Sequence, residues 1–491
     1  MTEQQSSYRQ IMKATSIFGG VQAFKILIAI INSKAIALLL GPAGMGIIGL
    51  FNSTIGLIGG LTNFGLGTSA VKDVAAANAT GNDSRIATIV KVLRRWVWIT
   101  GLLGALVMLI LSPWLSQLTF GNKNYTVAFI WLSIILLFKQ ISSGQLALLQ
   151  GMRKLKHLAK ASIAGSFLGL IISVPIYYFF RINGIVPAII LSSLTTMLLS
   201  WYFAGRVELQ PVVVSKAKTI SEGLSMLKMG FTISITGLFA LGVAYIVRIY
   251  INHIGGVAQV GLYNAGFMII NTYVGLVFTA MATDYYPRLA GFANDVSQTN
   301  RTINQQAEIS IIILAPILAI FLIFINWIVI LLYSNQFIEI SGMIHWAALG
   351  MYFKAISWAI AFLFLAKGAS KLYFWNEAVA NIYMLILNLL CYRFWGLDGL
   401  GIAFLITYFL YFLQVYIIAK YYYHFSLKKE FIYIFIKQFI IGILCFSVVI
   451  YIQSNIHYLI GSILIIISAV YSYKELNKRL NLNELLNRYR K

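Results

Sequence analysis

The sequence predicts an all-α polytopic membrane protein of about fourteen transmembrane helices, arranged as two six-helix lobes plus two C-terminal helices. Three observations predict it. Of 491 residues, 60% are hydrophobic and only 10% charged, against about 45–50% and about 25% in soluble chains. Apolar runs recur along the whole length, each near the ~20 residues that cross a ~30 Å hydrocarbon core as helix. The sequence also matches itself at a fixed interval. A soluble enzyme is excluded by this composition. Cys391 and Cys445 both sit inside apolar runs, so neither a disulfide framework nor a zinc site is indicated.

The runs are approximately 16–40, 44–67, 96–115, 126–150, 161–180, 185–204, 230–252, 261–287, 309–333, 343–366, 374–394, 400–422, 431–453 and 456–473, numbered here as spans 1–14. Each must be helical, because backbone groups in lipid have to be satisfied within the segment. The start Met1–Lys13 is polar and the first run is long, without a cleavage signature, so no removable signal peptide is expected. Basic residues set the orientation. With the N-terminus cytoplasmic, the inner segments hold 28 of the 37 Lys+Arg, among them Arg94, Arg95, Arg153, Lys154, Lys156, Lys428, Lys429, Arg488 and Arg490. The outer side holds Lys123, Arg181 and Arg393. Both termini are therefore expected in the cytoplasm. The net charge of +23 marks topology and contact with anionic lipid head groups; no nucleic-acid partner is expected. The outer loops are short, Ser116–Tyr125 being the longest, and no inner loop carries a phosphate-binding G-x-x-x-x-G-K-[ST] motif. An extracytoplasmic catalytic domain and a self-contained ATPase are thereby excluded, and no enzymatic activity is expected.

Shifting the sequence by 215 residues aligns Trp131, Phe138, Lys139, Ile141 and Ser142 with Trp346, Phe353, Lys354, Ile356 and Ser357. The same shift pairs Gly46 with Gly261, Thr68 with Thr283, Lys156 with Lys371 and Gly184 with Gly399. One shift serving several loops and spans indicates a duplication. The expected organisation is an N-terminal lobe at 1–215 (spans 1–6), a C-terminal lobe at 216–430 (spans 7–12), and extra helices with a cytoplasmic tail at 431–491. An even number of spans gives both copies the same orientation, so a pseudo-two-fold axis along the membrane normal relates them, as in one class of secondary transporters.

A charge at the bilayer centre costs about 3 kcal/mol on insertion scales and usually faces a partner or a water-filled cavity. Lys139 and Lys354 occupy equivalent mid-span positions. They form either a pair of cations on an internal cavity or carbonyl-bonded helix ties. Gln22, Lys25, Ala29 and Asn32 share one helix face; Ala29 leaves room around the polar groups, which points to an inter-lobe cavity, with a structural polar contact as the competing reading because a small residue also suits close helix packing. Lys34 falls about 180° from Lys25, close enough to the outer end to snorkel. Arg248 in span 7 is suited either to holding a phosphate bidentately or to snorkelling. Lys437 is an interfacial anchor. Asp284, Glu308 and Glu377 are the candidate ion-coupling carboxylates, since burial can move a carboxyl pKa into the physiological range; pairing with Arg288, Lys367 or Lys371 is the competing reading. The five histidines are scattered and form no metal or nucleophile arrangement, so no cofactor is expected. With cations outnumbering carboxylates in the spans, the expected substrate is anionic.

The segment Leu40-Gly41-Pro42-Ala43-Gly44-Met45-Gly46, preceded by Lys25 and Lys34, resembles the opening of bacterial lipid-linked oligosaccharide flippases. These are the O-antigen and enterobacterial-common-antigen translocases of the polysaccharide transporter family, in one superfamily with multidrug antiporters and the peptidoglycan-precursor flippase. Ala244-Tyr245-x-x-Arg248, Val260-Gly261-Leu262-Tyr263 and Tyr286-Pro287-Arg288-Leu289 are similar to the start of the family's second half. Phe364-Leu365-Ala366-Lys367-Gly368-Ala369, with Glu377 after it, resembles the family's turn between spans 10 and 11. The resemblance covers roughly residues 10–425. It implies a V-shaped two-lobed fold with a cationic central cavity, in a bacterial inner membrane. It further implies transfer of an undecaprenyl-diphosphate-linked repeat unit, as in lipopolysaccharide biosynthesis, with a polymerase and a chain-length regulator as partners. The family's cations carry over onto Lys25, Lys34 and Arg248. Many members end after twelve spans, so spans 13 and 14 depart from the pattern and suggest a lateral groove for the prenyl tail.

The resulting expectation is an alternating-access flippase whose substrate contacts are Lys25, Asn32, Lys34, Lys139, Arg248 and Lys354. A multidrug or organic-ion antiporter is the nearest alternative, yet spans 1–6 hold no mid-membrane Asp or Glu. A membrane polymerase or glycosyltransferase would need a sizeable outer loop with acidic or arginine-rich motifs, which is absent.

Overall fold

Helix formation is imposed on this chain by its apolar runs, and the computed structural model is all-helical over the residues it describes, 3–293, 295–452 and 454–480. Arg488 and Arg490, the side chains of Met1–Lys13 and that of Thr283 lie outside the described residues. Among the described residues thirteen α-helices follow one another: α1 (Glu3–Asn63), α2 (Leu66–Ala79), α3 (Asp83–Phe120), α4 (Thr126–Gly151), α5 (Leu155–Phe180), α6 (Ile185–Gly205), α7 (Lys216–Met268), α8 (Leu276–Gly291), α9 (Val296–Leu332), α10 (Ile340–Ala366), α11 (Ser370–Tyr423), α12 (Lys429–Tyr451) and α13 (Ile456–Leu480). Among the described residues, ten helical runs are long and apolar enough to cross a membrane.

Four of the ten are too long for one crossing. Gly20–Asn63 has 44 residues, about 66 Å at 1.5 Å per residue, over twice the ~30 Å hydrocarbon thickness. Its backbone breaks at Gly41, where φ is 65° and ψ −168°. That left-handed φ strains any residue with a β-carbon and suits glycine. The chain reverses there. Before the break Asn32 lies beside Ser173 and Leu39 accepts from Arg181; after it, Phe51 packs on Phe120 and Thr62 on Gly104. The runs Leu155–Gly205, Lys216–Thr279 and Ser370–Tyr423 contain breaks at Arg181, Gly256 and Gly396. Counting each as two crossings gives about fourteen, in line with the apolar stretches.

Backbone angles recur at the same 215-residue interval. Gly256 (φ 81°, ψ 172°) stands 215 residues after Gly41. Gly396 (φ 56°, ψ −135°) stands at the same distance from Arg181 (φ 50°, ψ −131°). The residues preceding α5 and α11, Lys154 and Ala369, are again 215 apart and have φ and ψ within a degree of each other. A β-carbon on Gly46 would overlap the Val257 carbonyl oxygen, and one on Gly261 the Pro42 carbonyl oxygen, so two equivalent segments cross in a reciprocal contact.

The chain divides into two compact units, Met1–Gly261 and Leu262–Lys491. In the first, α3 packs on α4, α5 on α6, and α1 on α3 and α5. Its core combines Leu66, Ala70 and Val74 of α2 with Val92, Leu93, Leu148 and Leu149. Near residue 120, Phe120 and Tyr125 stack at 3.8 Å, with Phe51 edge-on at 5.3 Å to Phe120. Lys91 and Arg95 donate to the Val212 and Val214 carbonyls, and Arg85 makes a bidentate ion pair with Glu222, so the segment joining α6 to α7 is tied to α3. In the second unit α10 packs on α9 and α11, while α12 and α13 both pack on α9. Apolar side chains such as Ile110, Phe179 and Leu331, each at least 70% exposed, form a perimeter suited to lipid and far more apolar than a water-facing surface. The protein is a multi-pass membrane protein.

Two elements differ from the sequence expectation. Helix α3 begins at Asp83, capped by the Asn82 side chain, well before its apolar run, and it continues to Phe120. That capped polar extension lengthens the helix outside lipid without adding hydropathy; at the other end the helix runs on until Gly121 (φ 75°) closes it, so the Ser116–Tyr125 loop shrinks to a few residues. Helix α2 was not expected at all; Leu66, Ala70, Val74 and Ala77 bury one face of it at i, i+4 and i+3 spacing.

Candidate functional site

A cavity of about 680 Å³ lies within the first unit, walled by α1, α2, α4, α5 and α6. The face of α1 that carries Lys25, Ala29 and Asn32 lines it, with Ile28 and Ile36 beside them, as the 3.6-residue period requires. Lys139 reaches it from α4. Gly165, Ser166, Gly169 and Ser173 come from α5, at the spacing of one helix face, and Ser192, Ser193 and Thr196 from α6. Small residues on facing helices leave the space open; Gly165 lies opposite Thr196 and Gly169 opposite Ser192 at van der Waals distance for a β-carbon.

Three of the residues singled out from sequence, Lys25, Asn32 and Lys139, thus meet on one cavity. Neither Lys25 nor Lys139 forms a hydrogen bond or ion pair among the described residues, and no Asp or Glu lines the cavity. Lys139 also borders a second space of about 270 Å³ with Gly59, Thr62 and Gln140. Asn32 sits 3.5 Å from the Ser173 hydroxyl. Two lysines and no carboxylate give this wall a cationic character.

The other three do not line it. Lys34, on the opposite face of α1, is half-buried away from the cavity. Arg248 donates back to the Ala244 carbonyl at 2.8 Å. Lys354, the repeat partner of Lys139, donates to Asn271 Oδ1 at 2.9 Å and lies over the rings of Tyr408 and Phe404 at 5.0 and 5.4 Å. The duplicated lysines therefore occupy different environments: one is free in a cavity, the other is bonded among aromatic rings.

The three carboxylates are likewise separate. Asp284 is exposed and pairs with Arg288 one turn away at 3.8 Å. Glu308 accepts from Arg479 on α13 at 2.8 Å, and Arg479 also holds Glu475. That partner comes from the C-terminal helices, where sequence spacing gave no hint of it. Glu377 accepts hydrogen bonds from the Tyr411 hydroxyl and, at 3.3 Å, from Asn376 Nδ2. No group of three or more His, Cys, Asp or Glu among the described residues could hold a metal. Sequence reasoning missed the hydroxyl and amide wall of Asn52, Ser143, Gln150, Ser166, Ser192, Ser193 and Thr196. The Gly-Ser face of α5, recurring at i, i+4 and i+8 through Gly165, Gly169 and Ser173, was the available signal.

The profile of the family described as polysaccharide biosynthesis protein matches residues 35–342, well over half of the chain. The chain belongs to this family. It is 23% identical over 401 residues to the Lipid III flippase of Escherichia coli (strain K12), covering 79% of this chain and 93% of that protein; the Lipid III flippase of Shigella flexneri matches equally. Among solved structures, the Lipid II flippase MurJ in an inward closed conformation superposes with a TM-score of 0.71 at 12% identity, covering 94% of this chain and 99% of that one. An inward-facing multidrug resistance MATE transporter of the MOP superfamily gives a TM-score of 0.66 at 14% identity, covering 82% and 95%. This member of the polysaccharide biosynthesis family has the fold of the MOP superfamily transporters.

Proposed function

We propose that the chain is a flippase. It carries an undecaprenyl-diphosphate-linked oligosaccharide, a surface-polysaccharide repeat unit of the O-antigen class, from the cytoplasmic to the periplasmic leaflet of a bacterial inner membrane. The observation that carries this reading is the meeting of Lys25 and Lys139, without protein partners, on a cavity that holds no carboxylate. Two lysines match the charge of a diphosphate, and the prenyl chain stays in lipid. Likeness to the Lipid III flippase of Escherichia coli along most of both chains supports a lipid-linked cargo. Transfer proceeds by alternating access of the two repeats, residues 1–215 and 216–430, with both termini cytoplasmic, and requires no covalent chemistry. Residues 431–491 add two helices, and a polymerase and chain-length regulator take up the delivered units. Ion coupling, where it operates, falls to Glu377, since Asp284 and Glu308 are engaged by arginines. A drug-cation antiporter would be expected to place a carboxylate on this cavity, and none lines it.

The test is complementation. Lys25→Ala and Lys139→Ala, at normal protein levels in a strain lacking its own flippase, should each reduce surface polysaccharide at least tenfold. Full activity in both variants would sink the phosphate role.

A further inference from the structure

The two repeats have kept their backbone and parted company in what fills it. At the 215-residue shift, four positions on the α5 and α6 wall of the first copy's cavity are smaller than their counterparts in the second. Gly169 corresponds to Met384, Ile189 to Phe404, Ser193 to Tyr408 and Thr196 to Tyr411. In the second copy the rings close on one another. Phe404 and Tyr408 lie 4.5 Å apart, Tyr408 and Tyr411 6.4 Å, and Lys354 is held over the first two. At these positions rings meet one another in the second copy, where the first copy's side chains border a cavity.

The wall that replaces the rings has a definite chemistry. Ser166, Ser192 and Thr196 donate their hydroxyl hydrogens to carbonyls of Ser162, Gly169 and Ser192 at 3.0, 3.3 and 2.9 Å. Their lone pairs remain free to accept. Ser143 and Ser193 make no such bond among the described residues, nor do the amides of Asn52 and Gln150, so donors are available as well. Fixed acceptors together with free donors, on a wall without carboxylates, match a polyhydroxylated ligand whose every hydroxyl both donates and accepts. The volume lies within the roughly 300–1,000 Å³ of small-molecule sites.

We infer that the hollow of the first repeat is the glycan subsite: its hydroxyl and amide wall takes the sugars next to the diphosphate, and the small residues of α5 and α6 set the size of glycan admitted. This rests on the flippase reading, with Lys25 and Lys139 at the diphosphate end, and names which part of the cargo enters the cavity and which residues select it.

The test borrows the second repeat's own side chains. Full-length purified protein carrying Gly169→Met or Ser193→Tyr is compared with wild type for binding two probes in detergent: undecaprenyl diphosphate, and the same lipid bearing an N-acetylhexosamine trisaccharide. Filling the hollow should weaken the trisaccharide lipid at least tenfold and leave the bare diphosphate lipid within twofold. Retained binding of the bare lipid certifies that the variant is folded. Ser193→Ala, which cannot overpack, should weaken only the trisaccharide lipid, by about threefold to tenfold, one hydrogen bond's worth. Unchanged trisaccharide binding in all three variants would overturn the glycan subsite, and so would equal losses for both probes. Lys139→Ala separates the two readings, because it should weaken both probes. Insensitivity of both to Lys139→Ala would remove the diphosphate reading while the glycan result stands or falls on the other variants.

Discussion

Removing Lys139 and removing Lys354 should have opposite consequences, although the two are equivalent in the repeat. Each is replaced by Met, which keeps the chain length and loses the charge. A mid-membrane cation costs about 3 kcal/mol on insertion scales, and this term is similar for two positions at the same depth, so it largely cancels between the variants. What differs is the set of partners. Lys354 loses a hydrogen bond to Asn271 at 2.9 Å, about 1.5–3 kcal/mol gross for a charged donor. It also loses ring contacts at 5.0 and 5.4 Å, about 0.5–1 kcal/mol each. Lys139 has no such bond to lose. Lys354→Met is therefore expected to be less stable than Lys139→Met by about 3 kcal/mol. At roughly 1–2 °C per kcal/mol for a chain this long, extrapolating from smaller domains, the melting temperatures should differ by about 3–6 °C in the same detergent. Transport should show the reverse order, with Lys139→Met the more damaged. A Lys139→Met protein that melts at or below Lys354→Met would refute the assignment of one lysine to ligand and the other to structure.

Two further changes test the fold. Gly46→Ala places a methyl group on the Val257 carbonyl, which no rotamer change relieves; overpacking of this kind costs about 1–3 kcal/mol, and Gly261→Ala should cost about the same in thermal unfolding. Gln438 is fully buried between α12 and α13, donating to Ser472 Oγ at 2.8 Å and accepting from Ser468 Oγ at 2.7 Å. Gln438→Leu should loosen α13 by about 1–2 kcal/mol, the worth of an interhelical polar contact in lipid, and be read as faster proteolysis beyond residue 452.

Much of the fold was legible because lipid imposes one rule on every span. Apolar length gave the crossings, and the 215-residue shift aligned positions at which the backbone also breaks, Gly41 with Gly256 and Arg181 with Gly396. Helix α2 escaped because its hydropathy is low and its buried face is short. Of the site, the Lys25–Asn32 face could be drawn from the helical period alone, and Lys139 from its cost in lipid. Which of the paired lysines is free could not. That is decided by Asn271 on a π-helical turn before α8 and by Phe404 and Tyr408 on α11, residues far from Lys354 in sequence. Glu308 shows the same limit, since its arginine arrives from α13.

The duplication explains why a mid-membrane lysine can persist twice for two reasons. In the first copy the charge at Lys139 is tolerated because small residues admit water or ligand around it. In the second, the charge at Lys354 is tolerated because an amide and two rings replace that water. Lys354 is half-buried, and its bond to Asn271 and its place over Phe404 and Tyr408 offset what solvation it gives up. The two lysines are thus told apart by their surroundings: Lys354 is bonded and held over rings, and Lys139 faces a cavity with no bond of its own among the described residues.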